Sequence, residues 1–178
     1  MGITFEELAA HLQVKGYTAS YNELDDLLLR ELPNQYYCFY RFIWRKSYGW
    51  RNNRADSAPI DTVLALRDIA KGAGIPASSV GRIAWFFHTA ALIQYTPGAY
   101  HEKDSRFQFF PNELPDLTVL RKVIAALRVV LNEEKGLRKN DRNMRYTNNA
   151  FLSRIAEVWQ EWGGHLAQPV AVQQQPGA

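Results

Sequence analysis

Leu64-Ala-Leu-Arg-Asp-Ile-Ala-Lys-Gly-Ala-Gly-Ile-Pro-Ala-Ser-Ser-Val-Gly-Arg-Ile-Ala-Trp-Phe-Phe-His-Thr-Ala-Ala-Leu-Ile93 reads as two short helices joined by a tight turn. Leu66, Ile69 and Ala70 recur at helical spacing and give the first helix its inner face. Gly72 and Gly74 interrupt that pattern, because glycine enters positive φ without steric cost. Ile75 follows as a buried plug. Pro76 opens the second helix, where a missing N–H costs nothing, and Val80, Ile83, Ala84 and Phe87 form that helix's inner face. The whole is a helix-turn-helix whose second helix is sized for a DNA major groove, although ordinary helical hairpins share the pattern.

The flanks extend the reading. Tyr95 and the alternating Phe107 and Phe109 predict a two-stranded hairpin, with Pro97 and Gly98 ending the outgoing strand. A hairpin directly after the second helix is the wing of a winged helix, with Lys103 and Arg106 at its tip or stem. Upstream, Asn34 to Tyr48 is one aromatic-rich helix in which Tyr37, Tyr40, Ile43 and Trp44 share a face; Arg41, Arg45 and Lys46 lie off it. Ile60 and Val63 suggest a brief extended segment. Ser20-Tyr-Asn-Glu23 fits a capping box that opens a helix with Leu24, Leu27 and Leu28 inward and Pro33 at its close. The acids Glu23, Asp25 and Asp26 match that helix's dipole and read as solvated. Thr4-Phe-Glu-Glu7 opens an earlier helix, which Gly16 ends.

Past a linker at Pro111 to Pro115, Leu117 to Leu131 is an amphipathic helix with Leu117, Leu120, Ile124, Leu127 and Leu131 at near-heptad spacing. Lys135 to Tyr146 holds five bases and one acid. Thr147-Asn-Asn149 caps a last helix faced by Phe151, Leu152, Ile155, Val158, Trp159 and Trp162. The expected fold is mainly α with a small β-hairpin wing. An N-terminal helix spans 1–16, a winged helix-turn-helix domain 17–112, a C-terminal helical region 113–165 and a flexible tail 166–178.

Over 178 residues the net charge is only +3, but it is unevenly placed. Residues 1–33 hold six acids and two bases, whereas residues 34–55 hold five bases and no acid. Such a chain can present one basic face. Cys38 is the sole cysteine, which excludes an internal disulfide and a thiolate metal cluster. No signal pattern is visible, and the longest apolar run, Ile83 to Ile93, is too short to cross a bilayer. A soluble cytoplasmic protein is expected, with no membrane partner. His11, His88, His101 and His165 have no metal spacing. No nucleophile elbow, phosphate-binding glycine loop or carboxylate pair is present, so neither an enzyme nor a cofactor or metal site is expected.

Tyr17-Thr-x-x-Tyr-Asn-Glu-Leu24, Leu32-Pro-Asn34 and Tyr40-Arg-Phe-Ile-Trp-Arg-Lys-Ser-Tyr-Gly-Trp50, followed by a polar loop and the helix-turn-helix, resemble the N-terminal winged-helix domain of phage replication protein O and related plasmid and phage helix-turn-helix proteins. The resemblance covers roughly residues 17–96. It implies binding at a replication origin or operator, often as a dimer, with the C-terminal part recruiting replication proteins. The chain departs from the pattern in four places. Ala77-Ser-Ser79 opens the second helix, Gly81 stands where a base is common, the back end that is normally charged is Trp85, His88, Thr89, Ala90 and Ala91, and Ala91 replaces the usual glycine before the wing.

Candidate contacts follow. Ser78 and Ser79 can bond phosphates or base edges, or simply cap the helix. Arg82 can take guanine in bidentate fashion, worth about 1–3 kcal/mol of discrimination. Arg41, Arg45, Lys46, Arg51 and Arg54 suit phosphates, as do Lys103 and Arg106 from the wing. Arg138, Lys139 and Arg142 form a second basic segment, a nucleic-acid contact or a solvated loop. Trp85 and His88 share a helix edge that either packs under the C-terminal helices or faces a partner, and Trp159 and Trp162 are further partner-interface candidates. Two functions are expected from these features. One is a duplex-DNA-binding protein of phage or plasmid type in replication initiation or transcription, with C-terminal helices that dimerise or recruit. The other is a winged-helix interaction subunit of a nucleoprotein complex with weak DNA binding.

Overall fold

A computed structural model describes residues 22–48, 62–98, 104–109, 116–142 and 144–162. The expected helix over 1–16, the loop bases Arg51 and Arg54, Lys103 at the wing tip and the tail lie outside these residues. The described residues are mainly helical, with one small antiparallel sheet. Their order is α1 (Asn22–Glu31), α2 (Asn34–Tyr48), β1 (Thr62–Ala65), α3 (Leu66–Ala73), α4 (Ala77–Thr89), β2 (Ile93–Thr96), β3 (Asp104–Phe109), α5 (Leu117–Asn140) and α6 (Asn148–Glu161). The chain divides into two compact units that meet at residues 117 and 118.

In the first unit the core is aromatic. The inner row of α2 is Tyr36, Phe39, Tyr40, Ile43 and Trp44, each at most 4% exposed. Phe39 stacks on Phe87 of α4 with centroids 5.6 Å apart, and Tyr36 meets Phe86 edge-on at 5.2 Å. Trp44 meets Phe109 of β3 at 4.9 Å. Burying each such ring is worth about 1.5–3 kcal/mol, with a further fraction of a kcal/mol from ring geometry. Tyr37, expected on this inner face, lies half-buried beside it. Its hydroxyl donates to Asp25 of α1 at 3.3 Å, and Asp25 also pairs with Arg41 at 3.4 Å. Asp25 is therefore not merely a solvated dipole match but the clip between α1 and α2.

The sheet has the order β1-β3-β2, so the expected two-stranded hairpin gains a third strand. Thr62, Phe107 and Tyr95 stand abreast on the buried side, and Val63, Arg106 and Thr96 form an exposed row on the other. Ser47 at the end of α2 and Thr62 on β1 share a buried hydroxyl–hydroxyl bond of 2.7 Å.

The two glycines of the turn act differently from their reading as paired breakers. Gly72 lies within α3, and a Cβ there would collide with the Phe42 ring of α2. Gly74 alone makes the turn, at φ 66°. Pro76 precedes α4 as its cap residue, and the helix starts at Ala77. At the far end of α4, Ala91 N–H bonds His88 O at 3.1 Å and Leu92 N–H bonds Phe87 O at 3.0 Å. This is the paired-bond helix stop that favours glycine, yet Ala91 occupies it at φ 54°.

In the second unit α5 runs past Leu131 to Asn140, because Glu133, Glu134, Lys135, Leu137, Arg138 and Lys139 are all good helix formers. The first half of the basic segment Lys135–Tyr146, read as a nucleic-acid contact or a solvated loop, is thus helix. Leu120, Val123, Ile124, Leu127 and Val130 of α5 are buried, as are Phe151, Ile155, Val158 and Trp159 of α6. Arg154 of α6 donates to both oxygens of Glu133 at 3.0 and 3.1 Å, and Thr147 Oγ1 caps α6 by accepting from Ala150 N–H at 3.2 Å.

Two substitutions test the turn geometry. Gly74→Ala forces a Cβ into the left-handed region and is expected to destabilise the unit by about 1 kcal/mol. Ala91→Gly relieves the same strain at an exposed site and is expected to be neutral or stabilising by up to about 1 kcal/mol, after the entropy that glycine adds to the unfolded chain. Urea unfolding of both variants against the parent measures the difference.

Candidate nucleic-acid interface

Helix α4 has two unlike sides. Val80, Ile83, Ala84, Phe86 and Phe87 are buried. Ser78, Arg82, Trp85 and Thr89 recur four, three and four apart, so they form one stripe on the opposite side. Ser78 is exposed, and Arg82, Trp85 and Thr89 are partly so. Ser79 turns toward the core and is half-buried. No side chain caps the helix, so neither serine has a capping role.

The stripe is fixed against the sheet by Trp85 and His88. Trp85 meets Tyr95 of β2 edge-on at 5.0 Å and His88 at 5.4 Å. His88 Nδ1 accepts the Tyr95 N–H at 3.1 Å. Strand β2 is a sheet edge, and this bond satisfies a main-chain donor that no strand pairs. An accepting Nδ1 places the proton of the neutral ring on Nε2. Burial pushes the His88 pKa down and the Tyr95 phenol up. Trp85 and His88 thus join α4 to β2 within their own unit, and His88 is a structural acceptor rather than a bare partner surface. Nothing in the residue pattern announces this bond, since it links a helix side chain to a backbone group on the next strand.

The expected basic residues do not all gather. Arg106 is exposed on the open side of the sheet, in the central strand. Arg45 is exposed on the side of α2 turned away from the row that packs on α4, so it does not join the Arg82 stripe. Lys46 lies with its Nζ 5.5 Å above the Phe42 ring. Arg41 is held by Asp25. In the second unit Arg138 pairs with Glu134 at 3.5 Å, while Lys139 and Arg142 are exposed. Trp159, expected at an interface, is buried at 3% exposure with its indole N–H unpartnered; Trp162 is 44% exposed.

Among the described residues no His, Cys, Asp and Glu group could hold a metal ion, and no helix is long and apolar enough to cross a membrane. No protein-family model matches the chain, and neither a curated protein nor a solved structure does.

The His88 bond carries a pH dependence. The folded-state pKa lies below the ordinary value of 6.5, so the folded protein binds fewer protons than the unfolded chain. Its stability contribution is complete above that value and is lost as pH falls through the folded-state pKa. His88→Phe keeps a ring beside Trp85 but strands the Tyr95 N–H, at an expected cost of about 1–2 kcal/mol at neutral pH. The variant's urea midpoint is expected to vary less with pH below 6.5 than the parent's.

Proposed function

We propose that the first unit is a winged helix-turn-helix that binds duplex DNA, in replication initiation or transcription control of the phage or plasmid type. The observation that carries this reading is topological. A helix, a strand, two helices and two strands follow in that order, with β3 between β1 and β2, and the second helix of the pair exposes a stripe beside the hairpin. In this reading α4 enters the major groove. Arg82 offers two parallel N–H donors to a guanine edge, and Ser78 bonds a phosphate or base from the first turn. Arg106 supplies a phosphate contact from the hairpin. Arg41, Arg45 and Lys46 have no part in it, because they are spent on Asp25, turned away or laid on Phe42.

A second reading is favoured by one observation: the α4 stripe has a single base and carries the indole of Trp85. Such a surface suits a winged helix that serves as an interaction subunit of a nucleoprotein complex.

Anisotropy titrations with a labelled duplex separate the two. DNA binding predicts log K falling linearly with log salt, at a slope of about −0.9 per phosphate contacted. Arg82→Ala is expected to weaken binding by roughly 5- to 150-fold and relax preference at one base pair. Absence of binding at about 50 mM salt, where phosphate contacts are strongest, overturns the first reading. A complex with a neighbour-encoded protein that Trp85→Ala dissolves then establishes the second.

A further inference from the structure

Gly81 stands in the second turn of α4, where a glycine weakens the helix because it frees the unfolded backbone. The two glycines before it have reasons within the chain: Gly72 leaves room for the Phe42 ring, and Gly74 makes the turn at φ 66°. Gly81 has neither reason. Its backbone is helical, and among the described residues a Cβ there would meet nothing within 4 Å. Gly136 of α5 also faces open space, but in the last turn and a half of its helix, where fraying lowers the cost of a glycine.

Ala77 and Ser78 lie one turn before Gly81 on the same side, and buried Ala84 and half-buried Trp85 lie one turn after. Trp85 is the one large side chain among these four. Its ring meets Tyr95 at 5.0 Å and His88 at 5.4 Å, and it leaves the space over Gly81 open. The surface of α4 therefore has a step in it, with bare backbone and short side chains for a floor and the indole for a side. Bare helix backbone lets a ligand come closer than any side chain would allow.

We propose that Gly81 is where α4 comes closest to duplex DNA, and that the step between Gly81 and Trp85 takes the 5-methyl group of a thymine. That methyl is the apolar group that base pairs present in the major groove, and it is recognised by apolar contact. The indole is already held by two rings, so little ordering opposes the contact. A protein partner fits the step less well, because a stable interface engages about 20–30 residues a side and the step offers a few short ones and one ring. The inference rests on α4 as the duplex reader of the proposed function, and it gives Trp85 a place in that reading.

The test uses the full chain and random-insert duplexes of about 30 base pairs, three turns of the double helix. The pool is enriched on the parent chain and copied twice, once with thymine and once with uracil, which differ by the methyl alone. The unenriched pool, copied in the same two ways, gives the baseline. Burying one methyl corresponds to about fourfold in affinity, so the parent is expected to prefer the enriched thymine copy by about that factor. Gly81→Ala is expected to raise the urea midpoint, because alanine is the better helix former, while weakening duplex binding several-fold and abolishing the thymine preference. Arg82→Ala is expected to weaken binding and keep the preference. A Gly81→Ala chain that is stabilised and binds as the parent does overturns the close approach, and lost binding in Arg82→Ala then leaves α4 standing as the reader. A lowered urea midpoint in Gly81→Ala shows that the glycine serves the fold and overturns the inference. Equal affinity of the parent for both enriched copies overturns it too. A parent chain without duplex affinity at about 50 mM salt overturns both this inference and the duplex reading.

Discussion

The stacking of Phe39 on Phe87 is the contact from which the first unit is built. Both rings are completely buried, and each touches further rings: Phe39 meets Phe107 of β3, and Phe87 meets Tyr40 and Phe86. One pair thereby fixes α2, α4 and the sheet to one another. Aromatic side chains suit this task because each buries a large area at the cost of only two torsions. Among the described residues, most of the aromatic side chains are therefore inside.

What remains outside follows from that arrangement. With Val80, Ile83, Ala84, Phe86 and Phe87 committed to the core, α4 presents Ala77, Ser78, Gly81, Arg82, Trp85 and Thr89, with Ser79 and His88 half-buried beside them. The hairpin is held at a defined angle to this stripe by the Trp85–Tyr95 contact and the His88 bond. The second half of the helix itself thus sets the orientation between α4 and the adjacent strands. The second unit solves a different problem. There, Arg154 collects the carboxylates of Glu133, Glu157 and Glu161, which ties α6 to α5.

Much of this was legible in the residues. The aromatic run and its flanking proline and glycine delimit α2, and apolar spacing delimits the two helices that follow. The inner face of α2 was read one position out at Tyr37, because aromatics at residues 36, 37, 39 and 40 make several faces look alike. Strand β1 was only hinted at. Its four residues pair with β3 some forty positions later, and such long-range pairing leaves no local periodicity. Gly72 looked like a helix break because its purpose, room for Phe42, is tertiary. The surroundings of the α2 bases were hidden for the same kind of reason: composition shows that bases cluster in sequence, but not that Arg41 meets Asp25 or that Lys46 lies over Phe42. Ala91 was visible as a departure, and only the backbone shows that alanine accepts the strained conformation there.

The buried hydroxyl pair of Ser47 and Thr62 has an evolutionary corollary. It pins the last turn of α2 to the first residue of β1, so the intervening stretch departs from and returns to a single anchored point. Lengthening a tether whose two ends are already fastened costs little, about 0.6 kcal/mol for each doubling. Insertions between positions 48 and 62 are thus expected to leave the Ser47–Thr62 fastening, and with it the approach of α2 to β1, in place.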